Sequence, residues 1–283
     1  MNKSFSECFI PVPAMRVQPS KGLFDLNLQA LWEYRELLYF MIWRDIKVRY
    51  KQTLIGVAWA ILQPLLTMVI FAVVFGRLAH LPSDGSPYPV FTYTALLPWT
   101  FFAQALTQSS TSLIGEANLI RKVYFPRLII PISTAVVPLV DFVLSFVVLL
   151  GMLAWFSMKI SWGVLCLPLF LMLALSTAVG VGLWFSALNT KYRDVRYVIP
   201  FLTQAWMYAS PVVYPSSLVP EQWRPLYGLN PMVGVIEGFR WGLLEKGLPD
   251  FGILAMSSLA VIVLMMSGLI YFRHMERTFV DVI

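Results

Sequence analysis

Charged residues are scarce in this sequence. Of its 283 residues only 13% are Asp, Glu, Lys or Arg, whereas 58% are hydrophobic, and the mean hydropathy is +0.72. A soluble domain has about a quarter charged residues, so this chain has too little polar surface to cover a fold that faces water. The composition excludes an ordinary soluble protein and predicts an all-α integral membrane protein.

Cysteine and histidine are also rare, which limits the chemistry available to the chain. Cys8 and Cys166 lie too far apart to indicate a disulfide framework or a metal site. His80 and His274 fall on opposite sides of the predicted membrane, so we expect no histidine-based triad and no bound metal. The sequence contains no G-x-x-x-x-G-K-[ST] loop. Any ATP that drives the protein, with its Mg, would therefore bind a partner chain, and we expect neither a cofactor nor a nucleic acid bound directly.

Long apolar segments dominate the chain after residue 53. About 20 mostly apolar residues suffice for one helical crossing of a bilayer. The third and fourth segments exceed that length, and Pro131 and Pro138 predict a kink in the third. The fifth is short and contains Pro200 and Pro211. We predict a cytoplasmic N-terminal region at 1–53 and a six-helix transmembrane domain at 54–283, with spans at about 56–75, 90–113, 128–156, 162–188, 197–213 and 251–272.

Basic residues predict the orientation of these spans. With both termini in the cytoplasm, sixteen of the 21 Lys and Arg lie inside. The other five lie outside: Arg77, Lys159, Arg224, Arg240 and Lys246. Cytoplasmic loops carry such an excess of Lys and Arg. The sequence therefore predicts that the termini and the loops around Arg121 and Arg193 face the cytoplasm.

An amphipathic helix precedes the first span. Its apolar residues include Trp32, Tyr39 and Trp43, its basic end includes Arg44 and Lys47, and Asp25 is the predicted N-cap. Such a helix lies along a membrane surface with its basic residues at the headgroups. It could serve only as an anchor, or it could also contact a partner.

Two loops mix charged with apolar residues, which indicates more than a solvated connection. The cytoplasmic loop 115–127 either docks a partner or packs against its own bundle. Outside, residues 214–250 are too polar and proline-rich to span. Asn230 and Pro231 read as an N-cap and first helical residue, so we predict a short helix at or dipping into the outer interface, as an interfacial hairpin or as a lid.

Asp141 is the exception to a lack of ionisable residues inside the spans. An acid within a span is by default a functional hypothesis. Ion-coupled carriers usually contain several such groups, however, and the sequence shows no basic partner for Asp141 at depth. We therefore favour a structural role, with Asp141 neutral or hydrogen-bonded to a neighbouring helix.

Polar and aromatic residues form stripes on three predicted helices. A pathway lined by amides, hydroxyls and rings without fixed charge suits a polar, uncharged, flexible substrate such as a sugar chain. Polar residues can equally hold helices together, so both explanations stay open. The stripes are Gly56, Trp59, Gln63 and Thr67; Tyr93, Thr100, Gln104, Thr107, Gln108 and Thr111; and Tyr197, Phe201, Gln204 and Tyr208.

Several segments together resemble the ABC-2-type permeases that export bacterial cell-surface polysaccharides. They are RDIKVRYKQTLIGVAWAILQPL after the amphipathic helix, then LLPWTFF, NLIRKVYFPR, NTKYRDVRYVIPFLTQAWMYASPVVYP and LNPM. The resemblance extends from about residue 28 to the C-terminus. Each motif alone is loose, but their order and spacing together are specific.

This resemblance implies a homodimer in the bacterial inner membrane that works with two copies of a separate ATPase. The pair would move lipid-linked O-antigen, capsule or teichoic acid. Residues 25–43 and 115–127 would contact the ATPase, and residues 216–246 would form periplasmic gate helices between the fifth and sixth spans. The predicted ATPase-coupling residues are Trp32, Arg35, Arg44, Glu116, Asn118, Arg121, Lys122 and Tyr124. The predicted gate residues are Trp223, Asn230 and Pro231. With the stripes added, the predicted channel residues are Trp59, Gln63, Trp99, Phe101, Phe102, Gln104, Phe201, Trp206 and Tyr208.

Other classes of protein remain possible from sequence. An ABC-2-type exporter of a small lipophilic compound would need a more apolar pathway. A membrane enzyme acting on lipid-linked sugars would need a carboxylate pair or a histidine at the outer interface, and no motif groups the acidic residues there, which are Asp84, Glu221, Glu237 and Glu245. The solitary Asp141 argues against an ion-coupled carrier.

Overall fold

A computed structural model describes residues 28–51, 54–159, 161–192, 194–244, 250–276 and 279. These residues are mostly helical and include no strand. The helices are α1 (Leu28–Glu33), α2 (Arg35–Tyr50), α3 (Leu54–Phe71), α4 (Tyr88–Gly115), α5 (Ala117–Lys122), α6 (Ile129–Val136), α7 (Leu139–Trp155), α8 (Leu167–Lys191), α9 (Val195–Tyr208), α10 (Arg224–Gly228), α11 (Pro231–Leu244) and α12 (Phe251–Glu276). A π-helical stretch (Ala72–Leu78) extends α3, and a 3₁₀ turn (Trp162–Cys166) precedes α8.

Four stretches of helix in the described part of the chain are long and apolar enough to cross a membrane. They are Gly56–Leu78, Ile129–Trp155, Trp162–Lys191 and Phe251–Glu276, and they agree with the first, third, fourth and sixth predicted spans. The second predicted span lies within α4, which has 28 residues but is less apolar. Crossings by α4 and α9, and hence the count of six, stay predictions.

The predicted fifth span differs most from the structure, because α9 ends at Tyr208 and not near residue 213. Pro211 explains the early end, since the residue before a proline is pushed out of helical geometry. At about 1.5 Å per residue, the 14 residues of α9 cover about 21 Å. Residues 209–214 then turn back into the protein.

The predicted kink in the third span is confirmed. Helices α6 and α7 are separated at Val137 and Pro138. Proline has no N–H to donate, and its ring clashes with the preceding turn. The break therefore divides the segment into a short α6 and a 17-residue α7.

Helix α4 is the centre of the bundle. It contacts α3, α6, α7, α8, α9 and α11, and most of its residues are buried. Its hydroxyl groups bond to its own backbone, as Thr94 does to Val90 (2.8 Å) and Ser110 to Leu106 (2.6 Å). The lower hydropathy of α4 is consistent with this central position, because a helix surrounded by other helices does not need an apolar surface that faces lipid.

Glycines allow α8 and α12 to approach closely. A Cβ atom added to Gly268 would lie 2.2 Å from the carbonyl oxygen of Gly180, and one added to Gly180 would lie 2.9 Å from Cα of Met265. Small residues at helix contacts are typical of membrane proteins, in which association depends on close packing.

The predicted N-terminal amphipathic helix is divided at Tyr34 into α1 and α2, and apolar and polar residues are not separated onto two faces of α2. Its predicted N-cap, Asp25, lies outside the described residues. Helix α2 contacts α6, and Met41 is buried. The aromatic residues Trp32, Tyr39 and Trp43 are exposed, which leaves them available to a membrane surface.

Candidate functional site

An ion pair joins helix α2 to the residue that precedes α5. The Arg44 guanidinium pairs with the Glu116 carboxylate and with Asp45 at 2.8 Å. Burial lowers the pKa of Arg44, but its hydrogen bonds to Glu116 and Asp45 raise it more, so the net shift is upward. The Arg44 side chain is 34% exposed, so its charge is paired within the protein but also reaches the surface.

A second ion pair joins the end of α2 to the start of α7. Arg49 pairs with Asp141 and donates to Gln104 Oε1 at 3.3 Å, while the Tyr50 hydroxyl donates to Asp141. Burial and the contact with Asp141 raise the pKa of Tyr50, which keeps the phenol protonated and able to donate. The carboxylate of Asp141 is 8% exposed.

These contacts correct the account of Asp141. The sequence showed no basic partner at depth, yet Arg49 is that partner. The predicted hydrogen bond to a neighbouring helix is confirmed by Tyr50. Asp141 lies in the first turn of α7, beside the last turn of α2, and near the middle of the apolar stretch Ile129–Trp155.

We expect Asp141→Ala to lower the free energy of unfolding by about 1–3 kcal/mol, because it removes the carboxylate that pairs with Arg49 and accepts from Tyr50. Unfolding followed by tryptophan fluorescence in detergent measures the loss. Adding Arg49→Met should recover part of it by removing the cation that has lost this carboxylate. Glu221→Ala is the control, since Glu221 is 89% exposed and 3.8 Å from Arg224. A double variant that loses the sum of both single losses would contradict the pairing.

The 115–127 loop divides into a packed part and an exposed part. Phe125 is buried, and Arg127 donates to the backbone oxygen of Glu276 at the end of α12. Arg121 and Lys122 are exposed, and Tyr124 is 69% exposed. A groove of about 290 Å³ is lined by Ile120, Arg121, Lys122, Val123, Tyr124, Phe125 and Arg127. The packed part agrees with the explanation that the loop packs against its own bundle, and docking of a partner by the exposed part stays a prediction.

The predicted ATPase-coupling residues accordingly separate into two groups. Arg44 and Glu116 bind each other. The remaining six are exposed: Trp32, Arg35, Asn118, Arg121, Lys122 and Tyr124. Their contact with a partner stays a prediction, but the Arg44–Glu116 pair means that α2 and the 115–127 loop are joined to each other.

Three of the predicted channel residues form one aromatic cluster. The ring centroids of Trp99 and Phe102 lie 5.3 Å apart, and those of Phe102 and Trp206 lie 5.0 Å apart. Phe101 lies elsewhere, 5.9 Å from Phe142 on α7. The cluster joins α4 to α9, so it holds two helices of the same chain together.

Other predicted channel residues lie on the outside of the folded chain. On α3, Trp59 and Gln63 are exposed; on α9, Phe201 is 74% exposed and Tyr208 is 50% exposed. These side chains do not fill the core of the chain, so they do not hold its helices together. The α3 and α9 stripes face the surroundings of the chain, which can be lipid, a pathway or another protein.

A crevice between α3, α4 and α7 reaches Asp141 and Gln104. Its volume is about 10 Å³, which is room for about one water molecule. A sugar would therefore not fit in this crevice.

The predicted helix cap at Asn230 is confirmed. Asn230 Oδ1 accepts from the backbone N–H of Met232 at 3.1 Å, and Pro231 begins α11. The same oxygen accepts from the Trp206 indole at 2.8 Å. A predicted channel residue and a predicted gate residue are thus directly bonded, while Trp223 is exposed in a nearby turn.

Comparison with known proteins adds to this geometry. The pattern of the family described as "ABC-2 type transporter" matches residues 36–244. The chain belongs to the ABC-2 type transporter family.

Named relatives of this permease match almost along its entire length. The O-antigen export system permease protein RfbA of Myxococcus xanthus is 28% identical over 88% of this chain and 96% of the relative. The protein of the same name from Klebsiella pneumoniae is 29% identical over 88% and 95%. The polysialic acid transport protein KpsM of Escherichia coli is 25% identical over 83% and 91%.

Sequence reasoning missed two buried features of this permease. One is the link of Arg49 and Tyr50 to Asp141, whose partners are about ninety residues apart along the chain, and no local pattern predicts it. The other is Arg240, which is 3% exposed. A signal for Arg240 did exist, because a charged i,i+3 pair with Glu237 interrupts an otherwise apolar helix.

Proposed function

We propose that this permease is the transmembrane subunit of an ATP-driven exporter that moves lipid-linked polysaccharide across the bacterial inner membrane. In this proposal the chain crosses six times, keeps both termini in the cytoplasm, and forms a homodimer with two copies of a separate ATPase. Relatives named for O-antigen export and polysialic acid transport support the substrate class. The absence of a P-loop from the sequence supports a separate ATPase.

The observation that carries the substrate proposal is the exposed stripe on α9. Its side chains are amides, phenols and aromatic rings without fixed charge: Tyr197, Phe201, Gln204 and Tyr208. Hydroxyl groups of a sugar chain exchange hydrogen bonds with amides, and apolar sugar faces rest on rings. A second protomer whose α9 faces this one would enclose such a surface as a pathway.

Two ion pairs give the proposed mechanism a physical route. Arg44–Glu116 joins α2 to the 115–127 loop, and Arg49–Asp141 joins α2 to α7. When the ATPase closes on ATP, it would push α2 and the loop as one unit. That movement would be passed to α7 and, through Gln104, to α4.

Deletion of the gene tests this proposal in cells. We expect surface polysaccharide to disappear, lipid-linked chains to accumulate inside, and an ATPase to purify with the wild-type permease. Complementation with the wild-type gene is the control. Normal surface polysaccharide in the deletion strain, together with sensitivity to a lipophilic compound, would favour export of a small lipophilic molecule instead. Purification without any ATPase would contradict both exporter proposals.

A further inference from the structure

The end of the bundle opposite the basic loops contains a non-helical connection, residues 209–214, here called the exit segment, which joins α9 to the turns before α10. Ser210, Val212 and Val213 in its middle are buried. Backbone carbonyls of such a stretch need partners, because unpaired polar groups are costly away from water.

Side chains from two other helices supply those partners at three consecutive carbonyls. Arg240 on α11 donates to the carbonyl of Val212 at 3.1 Å and to that of Tyr214 at 3.3 Å. Tyr88 on α4 donates to the carbonyl between them, that of Val213, at 2.7 Å. The exit segment is therefore held by side chains and not by regular secondary structure.

The same segment is fixed at its beginning by the α11 cap. Asn230 Nδ2 donates to Ser210 Oγ at 2.9 Å and to the carbonyl of Ala209 at 3.3 Å. Thus α11 holds the segment at both ends, through its cap and through Arg240.

The surroundings of Arg240 are those of a buried cation with few compensating charges. Its guanidinium lies 3.6 Å from the ring centroid of Phe91 and donates to Glu237 at 3.2 Å. Its Nε atom has no partner among the described residues. Burying a charge is costly unless it is well paired. The energetic cost of burying Arg240 is therefore balanced in part by the hydrogen bonds that it donates to the carbonyls of Val212 and Tyr214.

We propose that Arg240 is a positioning residue that keeps the exit segment folded across the outer end of the pathway, and that opening this end requires its bonds to Val212 and Tyr214 to break. This inference rests on the proposed function in assigning the opposite end as an exit. Hydrogen bonds to side chains can be replaced by water without unfolding a helix, which suits a part that must open and close.

The test uses the accessibility of Val213. The full-length permease, with the ATPase that purifies with it, is placed in nanodiscs after Cys8→Ser and Cys166→Ala. A Val213→Cys reporter is then exposed to a water-soluble maleimide. In Arg240→Met we expect labelling at least about tenfold faster than with Arg240 present, because the segment loses charge-assisted hydrogen bonds to two of its carbonyls.

The chain offers a matched control in Arg224, which also pairs with a glutamate three residues away but is exposed (Glu221, 3.8 Å). Arg224→Met should leave the labelling rate unchanged. A second reporter, Val235→Cys on the buried face of α11, should stay protected in both variants. Unchanged labelling of Val213→Cys in Arg240→Met, or equal acceleration by Arg224→Met, would overturn the proposal.

If Val235→Cys is also labelled in Arg240→Met, that variant has lost its fold, and Arg240→Lys decides instead. The lysine keeps the charge but lacks the planar fork that reaches two carbonyls. We then expect an intermediate labelling rate, and a rate equal to that of the parent contradicts the proposal. Labelling does not require substrate, so this result stands apart from the polysaccharide assignment.

Discussion

Reversing Arg121 and Lys122 together to glutamate is expected to reduce polysaccharide export at least about a hundredfold, since like-charge contacts at an interface cost several kcal/mol. Both side chains are exposed at the rim of the groove in the 115–127 loop. The contacts of this loop with the rest of the bundle are made instead by Phe125, which is buried, and by Arg127, which donates to the backbone oxygen of Glu276. The variant should therefore insert normally and lose its ATPase, as measured by copurification and by surface polysaccharide in a complemented deletion strain.

The matched control reverses two other exposed cations at the same end, Lys191 and Arg196. Lys191 lies over the Tyr192 ring and Arg196 over the Tyr197 ring, and neither residue belongs to the predicted docking loop. Lys191→Glu with Arg196→Glu should retain the ATPase. Equal loss of the ATPase in both double variants would show a general charge effect, and full export by the Arg121 and Lys122 variant would contradict the docking role.

Gly268→Leu is expected to prevent folding of the bundle. A Cβ atom at residue 268 would lie 2.2 Å from the Gly180 carbonyl, and this neighbour is backbone that cannot rotate away. Helices α8 and α12 would have to separate, and overpacking of this kind costs about 1–3 kcal/mol even where side chains can adjust. We expect the yield of monodisperse protein in detergent to fall at least about tenfold.

Gly151→Leu is the control for this prediction. Gly151 also lies within an apolar helix, α7, but a Cβ atom there would meet nothing within 4 Å. The yield of Gly151→Leu should match that of the parent protein. Comparable yields for Gly268→Leu and Gly151→Leu would show that the close contact between α8 and α12 does not govern folding.

Local features of the fold were predictable because their causes lie close together in sequence. Pro138 breaks the third span and Asn230 caps α11, and each effect follows from the residue itself. The long apolar helices follow from runs of hydrophobic residues in the same way. The end of α9 could also have been predicted, since Pro211 was visible within the segment proposed to continue to residue 213.

Contacts between helices were not predictable from one sequence. Tyr50 and Asp141 are 91 positions apart, and only the packing of α2 beside α7 brings them together. Packing between helices also explains why the predicted channel residues lie in different places. Phe101 and Phe102 are neighbours in sequence, but successive helical residues point about 100° apart, so Phe102 meets Trp206 while Phe101 meets Phe142.

The proposed transport activity is tested most directly in inverted inner-membrane vesicles that contain the permease and its ATPase. Lipid-linked polysaccharide is supplied on the outer face of the vesicles, and the fraction protected from an added glycosidase is measured with and without ATP. Our account predicts that ATP increases the protected fraction and that vesicles from the deletion strain show no increase. A protected fraction that is the same with and without ATP in vesicles that hold both proteins would contradict it.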